Sequence, residues 1–373
     1  MGKVATVPEG VGICLPNEAD ATPIEHQLTR LLCRLGCLQW CNKETLDTPT
    51  GRVLRLRLRK SMFSKLVDGF DTLSLRQHLA KSSHQLNAEL LMREVWVSML
   101  SAPVRMDFAN LQALQAHLRV RCNIALAAEK TALAFRIDAA ERPIDFWHDE
   151  PDVGFLLKPD VCLVDALIAA TQPERTGRLY DFSCYRATEY VILLGIAQEA
   201  RASAPSLYAS LEQAARRQCI KSGRFHEVFL TEYGSVDAPV PARYYVPGDR
   251  VWFKNPDERS SDAPGYEGSW VIYLGGGRFS NFWKRDAPYS LHGKALEVYH
   301  WRDGAYLDAQ SAVQMNEDVV EAKLALTRVD PVKRQRILKR MTRYRDPMGV
   351  YGEGGCIDAS REFPRELHQI NVS

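Results

Sequence analysis

Three of the nine cysteines, Cys33, Cys37 and Cys41, are spaced by four residues, which places them on one face of a helix. Three thiolates on one face could bind a soft metal ion together with a fourth ligand from elsewhere. Structural zinc sites usually use more closely spaced cysteine pairs, however, and cysteine also packs in a core as a small apolar residue. We therefore predict a packed stripe and assign neither a metal nor a cofactor.

The nine cysteines are spread over 373 residues and lack the density of a disulfide-stabilised domain. We expect a reducing compartment, in which at least one thiol is free for chemistry or buried. No signal-peptide core is present at the N-terminus, and no apolar run approaches the roughly 18 residues of a membrane helix. The protein is expected in the cytoplasm or delivered without a classical signal peptide. Residues 1–6 fit the N-myristoylation pattern at Gly2, with a flexible N-terminus as the alternative.

A run of cations without an acidic residue lies between Pro331 and Arg345. It could bind an anionic membrane or nucleic acid, or it could be a solvated helix that packs its apolar side, with Ile337 and Leu338, on the main domain. Only Tyr344 supplies an aromatic ring nearby, and the net charge of the chain is +2, so we expect no nucleic-acid partner. Membrane contact stays an alternative to the packed helix.

Hydrophobic spacing predicts helices first and an antiparallel sheet second. Apolar residues recur at helical spacing over residues 24–41, 61–68, 74–92, 108–134, 162–170, 184–202 and 312–330. Strict alternation over residues 53–60 predicts a half-buried strand with a basic outer face. Further strands are predicted over residues 251–253, 270–274, 278–283 and 296–300, separated by Gly, Pro and Asp. This order is typical of an α+β protein.

Six short segments between Met92 and Leu338 share their order and spacing with one known family. They are residues 102–108 (APVRMDF), 118–124 (LRVRCNI), 146–157 (FW and GFLL), 248–256 (GDRVWFKNP), 268–275 (GSWVIYLG) and 326–330 (LTRVD). Together they resemble the bacterial spore-coat type of protein-glutamine gamma-glutamyltransferase, a small transglutaminase. The resemblance implies a papain-like α+β core, with helices packed on an antiparallel sheet, over residues 92–338. Residues 1–91 would form a mostly helical extension, and residues 339–373 a basic helix end and a loose tail.

This resemblance implies acyl transfer: a cysteine thiolate attacks a glutamine side-chain amide, ammonia leaves, and a lysine amine takes the acyl group. Such a thiolate is best placed at a helix N-terminus, where the dipole lowers its pKa. Cys184 fits this position, just before an apolar helix. A gapless alignment would put Arg186 there instead, turned about 200° around the helix. We prefer Cys184, because a loop before a helix absorbs an insertion, and a buried structural thiol is the alternative.

The other catalytic positions of the resembled family hold different residues in this chain. The glutamate before the cysteine becomes Ser183, and the glutamate of the later strand becomes Ser269. The histidine falls on Phe282 or, with a one-residue gap, on Asn281. The usual base and its carboxylate partners are thus replaced.

A replacement base is available on the predicted strand 296–300. His300 would face the cysteine helix if that strand lies beside strand 278–283, and Asp303 would orient the imidazole. His292 precedes the strand, and a purely structural His300 is the alternative. We hypothesise acyl transfer on protein glutamine, as crosslinking or deamidation, with Cys184, His300 and Asp303 in the catalytic roles. The alternative is a catalytically inactive member that binds a protein partner.

Overall fold

The computed structural model describes residues 7–15, 21–49, 51–80, 87–135, 140–348 and 354–372. The proposed acylation site at Gly2 lies outside these residues. The helices are α1 Ala21–Arg34, α2 Lys60–Leu66, α3 Leu75–Ala80, α4 Asn87–Leu100, α5 Leu111–Lys130, α6 Leu163–Thr171, α7 Cys184–Ser203, α8 Pro205–Arg217, α9 Arg224–Phe229, α10 Glu258–Ser261, α11 Leu291–Gly304, α12 Glu317–Val329 and α13 Pro331–Met341. None of these helices is both long and apolar enough to cross a membrane.

The strands form two larger sheets and three short pairs. They are β1 Val11–Leu15, β2 Cys41–Thr48, β3 Gly51–Leu58, β4 Met106–Phe108, β5 Ala134–Phe135, β6 Trp147–Glu150, β7 Gly154–Leu157, β8 Asp181–Phe182, β9 Leu230–Tyr233, β10 Arg250–Lys254, β11 Gly268–Gly275, β12 Arg278–Phe279, β13 Tyr289–Ser290, β14 Ala305–Leu307, β15 Val313–Met315 and β16 Arg361–Pro364. Helices packed on mainly antiparallel sheets confirm the α+β class.

The first sheet lies in the N-terminal part of the chain and has the order β2-β3-β1-β4. The alternating strand predicted from residue 53 is confirmed as β3, in which Leu54, Leu56 and Leu58 are buried while Arg55 and Arg57 are partly exposed. The first 91 residues thus contain β1 to β3 besides helices α1 to α3. The domain boundaries at residues 91 and 338 stay a prediction.

The prediction of one helix over residues 24–41, with three cysteines on one face, is wrong. Helix α1 ends at Arg34, and Gly36 turns the chain with a φ of +62° that favours glycine. Cys33 is exposed, whereas Cys37 and Cys41 are buried, with Cys41 already in β2. The described residues contain no cluster of three metal-ligand side chains.

The second sheet carries the site and has the order β13-β12-β11-β10-β16-β9. Strands β10 and β11 pair antiparallel, with Val251 opposite Val271. Strand β16 lies between β10 and β9, so the prediction of a loose C-terminal tail is wrong for residues 354–372. This segment is ordered because Cys356 and Ile357 are buried in the core beside the sheet, and strand β16 fills the gap between two sheet strands.

The strand predicted over residues 296–300 is wrong as well, because the segment belongs to helix α11. Ser290 caps this helix by accepting a hydrogen bond from the Gly293 N–H at 3.0 Å. Leu291, Ala295 and Val298 are buried at helical spacing. The apolar run was too short to distinguish the two periods, and packing against the sheet decides in favour of the helix.

Helix α7 is held in place by close packing between helices. Gly195, in its middle, approaches helix α5 so closely that an added Cβ would lie 2.4 Å from Ile124 Cγ1. The residues from Tyr190 to Ala197 are buried around it. The helix therefore has a fixed position, and so does its first residue.

Candidate functional site

Cys184 is the first residue of helix α7. Ser183 caps this helix, since its hydroxyl oxygen accepts a hydrogen bond from the Arg186 N–H at 3.3 Å. Serine is among the preferred capping residues because its oxygen satisfies an N–H that has no partner in the helix. Ser183 thus fixes where the helix begins, and with it the direction of the Cys184 side chain.

An open cavity of about 620 Å³ lies in front of Cys184. Its walls come from the start of α7, strand β11, the loop after β12, and helices α11 and α12. Its polar and charged lining includes Ser269, Asn281, Lys284, Ser290, Lys294, Glu297, Glu317, Glu321 and Arg328, and its aromatic lining is Phe135, Tyr266, Trp283, Tyr289 and Trp301. The cavity is large enough for an extended side chain.

Burial raises the pKa of the Cys184 thiol because a thiolate is poorly solvated there. Three groups act in the opposite direction: the backbone N–H groups of Trp270 and Tyr185, which donate to the sulfur, and the Lys294 ammonium. Such donors stabilise a negative charge at or near the sulfur. The resting side chain is therefore a thiol, and these three groups offset only part of the cost of ionising it.

Aromatic rings hold Trp270 in position. Its indole stacks on Trp252 with centroids 5.6 Å apart, and Tyr185 meets it edge-on at 5.3 Å. The Arg250 guanidinium lies over both Tyr185 and Trp270, at 4.8 and 4.7 Å, and pairs with Glu362 of β16. The two N–H groups near the sulfur thus belong to residues whose side chains are packed together.

Lys294 is the residue of this site that the sequence analysis missed. Only 3% of Lys294 is exposed, and its Nζ donates to Glu297 Oε1 at 2.8 Å and lies 3.9 Å from the Tyr289 ring centroid. Burial by itself would lower the pKa of Lys294, but Glu297 and Tyr289 outweigh it and raise the pKa above its ordinary value. Lys294 is thus a permanent cation. The sequence signal for Lys294 is a lysine that stands among the apolar residues of α11.

The structure brings His300 and Asp303 together, but not into this cavity. His300 Nδ1 lies 2.6 Å from Asp303 Oδ2, and Nε2 lies 2.8 Å from Thr327 Oγ1 of helix α12. The ring is 1% exposed, and its burial lowers the pKa of His300 despite the nearby Asp303 carboxylate. Among the described residues, no histidine lines the cavity of Cys184. His292, in the first turn of α11, is exposed outside it.

Two of the positions at which this chain departs from the resembled family face the cavity. Ser269 and Asn281 both line it, whereas Phe282, the other candidate for the histidine position, is buried in the core. The Asn281 side chain donates to Ala287 O at 3.0 Å and accepts from the Lys284 N–H at 3.1 Å. The Asn281 amide thus shapes the loop after β12, and its alignment with the family's histidine stays a prediction.

Comparisons with known proteins identify the family. The sequence model of the family described as "Protein-glutamine gamma-glutamyltransferase" matches residues 72–354. A protein-glutamine gamma-glutamyltransferase of Halalkalibacterium halodurans is 27% identical over 191 residues, which cover 50% of this chain and 62% of that protein. This chain thus spans less than two thirds of that relative. A solved transglutaminase from Geobacillus stearothermophilus, without its C-terminal extension, is 20% identical, covers 57% of this chain and 97% of its own, and has a TM-score of 0.39. The match to the family model confirms the resemblance seen in the sequence: the chain belongs to the protein-glutamine gamma-glutamyltransferase family.

Proposed function

We propose that this protein transfers the acyl group of protein glutamine side chains through a thioester on Cys184. The observation that carries the proposal is the place of this thiol: the first residue of a buried helix, open to a cavity, with the Trp270 N–H donating to its sulfur. A helix N-terminus and an aimed N–H both stabilise negative charge. An amine acceptor gives a crosslink, and water gives deamidation.

Groups of the site can meet one requirement of this reaction, the stabilisation of negative charge. The thiolate attacks the carboxamide carbon, and the Trp270 and Tyr185 N–H groups lie where they can stabilise charge near the sulfur. The thiol proton passes to the amide nitrogen, the C–N bond breaks, and ammonia leaves. An amine or water then attacks the thioester carbon, the C–S bond breaks, and the sulfur takes up the proton that the attacking group loses. The positive charge of the Lys294 ammonium offsets part of the free-energy cost of burying the thiolate. A papain-like site pairs its cysteine with the imidazole of a histidine. The cavity of Cys184 instead contains the Lys294 ammonium.

His300 and Asp303 stay our proposed base and its orienting carboxylate. For His300 to reach the cavity, its hydrogen bond to Thr327 must break, because both ring nitrogens are engaged in the structure. A His300→Gln variant tests this role: loss of acyl transfer with an unchanged melting temperature would support it. Loss of stability alone would assign His300 to packing between α11 and α12.

A second function, protein binding without catalysis, is favoured by a different observation. Ser269 and Asn281 line the cavity, and the sequence resemblance aligns Ser269 with a carboxylate and Asn281, or else Phe282, with the imidazole of the family; the pKa of Cys184 is also raised. A scaffold that has lost its base keeps its surface, which could bind a protein partner. Under this function, Cys184→Ala would leave the biological effect intact.

The test is incorporation of a labelled primary amine into casein, with ammonia release measured in parallel. Cys184→Ala should abolish both signals, and Cys33→Ala, an exposed cysteine on α1, is the matched control that should not. With the pKa above its ordinary value of 9.0, less than about 1% of the thiol is ionised at pH 7. The rate should therefore rise about tenfold per pH unit between pH 7 and 9. Absence of both signals up to pH 9 would favour the binding function.

A further inference from the structure

The junction of helices α12 and α13 exposes three aliphatic side chains. Leu326 and Val329 lie one turn apart on the last part of α12, with exposed fractions of 61% and 81%, and Val332, the second residue of α13, is 77% exposed. Single exposed aliphatic residues are common, but three within seven positions form a patch. We call this patch and the cations around it the junction surface.

The chain on both sides of these aliphatic residues is rich in cations. The segment 322–345 contains nine cations and one acid, Asp330; the cations are Lys323, Arg328, Lys333, Arg334, Arg336, Lys339, Arg340, Arg343 and Arg345. The Asp330 carboxylate caps α13 by accepting a hydrogen bond from the Lys333 N–H at 2.9 Å. The local charge is thus strongly positive in a chain whose net charge is only +2.

Helix α13 turns its cations outward. Ile337 and Met341 are buried against the domain, whereas Val332, Arg336 and Lys339 lie on the opposite face and are exposed. Neither Arg336 nor Lys339 forms an ion pair with an acid in the described part of the chain. The apolar side of the helix packs on the domain, as one sequence-based alternative expected, and this packing leaves Arg336 and Lys339 exposed.

We propose that the junction surface docks on a membrane surface that contains anionic lipids. Aliphatic side chains beside clustered Lys and Arg suit the boundary between head groups and acyl chains, since the aliphatic groups enter it and the cations pair with the head groups. Nucleic acid would use the cations but not the three aliphatic side chains. Tyr344, the aromatic residue within this segment, is held by its hydroxyl, which donates to Val240 O at 2.9 Å.

This docking would bring the mouth of the cavity close to the lipid head groups. Ala325 and Arg328, both on α12 beside the junction surface, also line the cavity of Cys184. A protein held at the membrane would therefore meet its substrates or partners there. The docking itself does not depend on acyl transfer, so it can be measured on the Cys184→Ala variant.

The experiment is co-sedimentation of the full chain with phosphatidylcholine vesicles, with and without one fifth phosphatidylserine, at low and high salt. We expect binding only to the anionic vesicles, and its loss at high salt. Each cation near such a surface contributes about fivefold in affinity, so the double variant Arg336→Gln, Lys339→Gln should bind about 25-fold more weakly. Val329→Ser with Val332→Ser should weaken binding about tenfold.

Matched controls come from exposed residues elsewhere on the chain. Lys65→Gln with Arg175→Gln removes two exposed cations, and Ile144→Ser removes an aliphatic side chain with the same 77% exposure as Val332. Neither should change vesicle binding. Failure to bind anionic vesicles, or equal effects of the control and junction variants, would overturn the proposal. Binding to duplex DNA that depends on Arg336 but not on the valines, without vesicle binding, would assign the surface to nucleic acid instead.

Discussion

Glu189 on helix α7 provides a direct test of the electrostatics near Cys184. It lies five residues after Cys184 and is fully buried. Its Oε2 accepts from Arg186 Nη1 at 2.5 Å, and Arg186 also donates to the Ile220 carbonyl. Through these two hydrogen bonds, Arg186 connects the start of α7 to the segment after α8. Burial raises the pKa of Glu189 to about 7, despite the opposing charges of Arg186 and Arg250.

The raised pKa has a definite consequence for stability against pH. The unfolded side chain titrates near 4.5, so between pH 4.5 and 7 the folded state keeps a proton that the unfolded state loses. The stabilising contribution is complete below pH 4.5 and is lost as the pH rises through 7. At 1.36 kcal/mol per pKa unit, the loss is on the order of 3 kcal/mol. Glu189→Gln cannot ionise and removes this dependence.

The assay is urea unfolding of wild type and Glu189→Gln at pH values from 4.5 to 8. The difference in unfolding free energy, variant minus wild type, should rise by about 3 kcal/mol over this range. Glu129→Gln is the control, because Glu129 forms an exposed ion pair with Arg278 at 2.9 Å that contributes about 1 kcal/mol or less. A difference that stays constant or falls with pH would mean that Glu189 is ionised throughout, and would refute the reasoning.

Two further predictions concern the frame of the site. Arg121→Met should lower the unfolding free energy by about 3–5 kcal/mol, because it leaves the Asp249 carboxylate buried without its 2.7 Å partner; adding Asp249→Asn should restore part of the loss, and equal urea midpoints would contradict this. Gly268→Ala places a Cβ 2.2 Å from Trp252 Nε1, so it should shift Trp252 off Trp270, change the tryptophan fluorescence and destabilise the fold by about 1–3 kcal/mol. An unchanged emission spectrum would contradict the second.

The parts of the fold that could be predicted are those with a complete local signal. The alternation over residues 53–60 predicted β3, because one face of that strand is buried and the other is partly exposed to solvent. The apolar residues after Cys184 predicted helix α7, and Ser183 supplies its cap. These signals depend only on neighbours within one turn or one strand, so the chain carries them without its tertiary structure.

The misassigned parts are those in which distant contacts decide. Residues 296–300 became part of α11 because Leu291 and Ala295 extend a helical stripe that a five-residue window does not contain. Strand β16 was missed because a four-residue strand with one proline gives no alternation to recognise. Its conformation comes from hydrogen bonds to β9 and β10, which lie more than 100 residues away in sequence.

The sequence by itself determined the family and placed Cys184 ahead of its helix, because order, spacing and capping are local properties. Only the tertiary structure decided what surrounds the thiol. It placed Lys294 and Asn281 in the cavity and turned His300 toward Thr327 of α12. These choices depend on which face of α11 packs on the sheet, and that face is selected by burial of the apolar stripe rather than by the polar residues themselves.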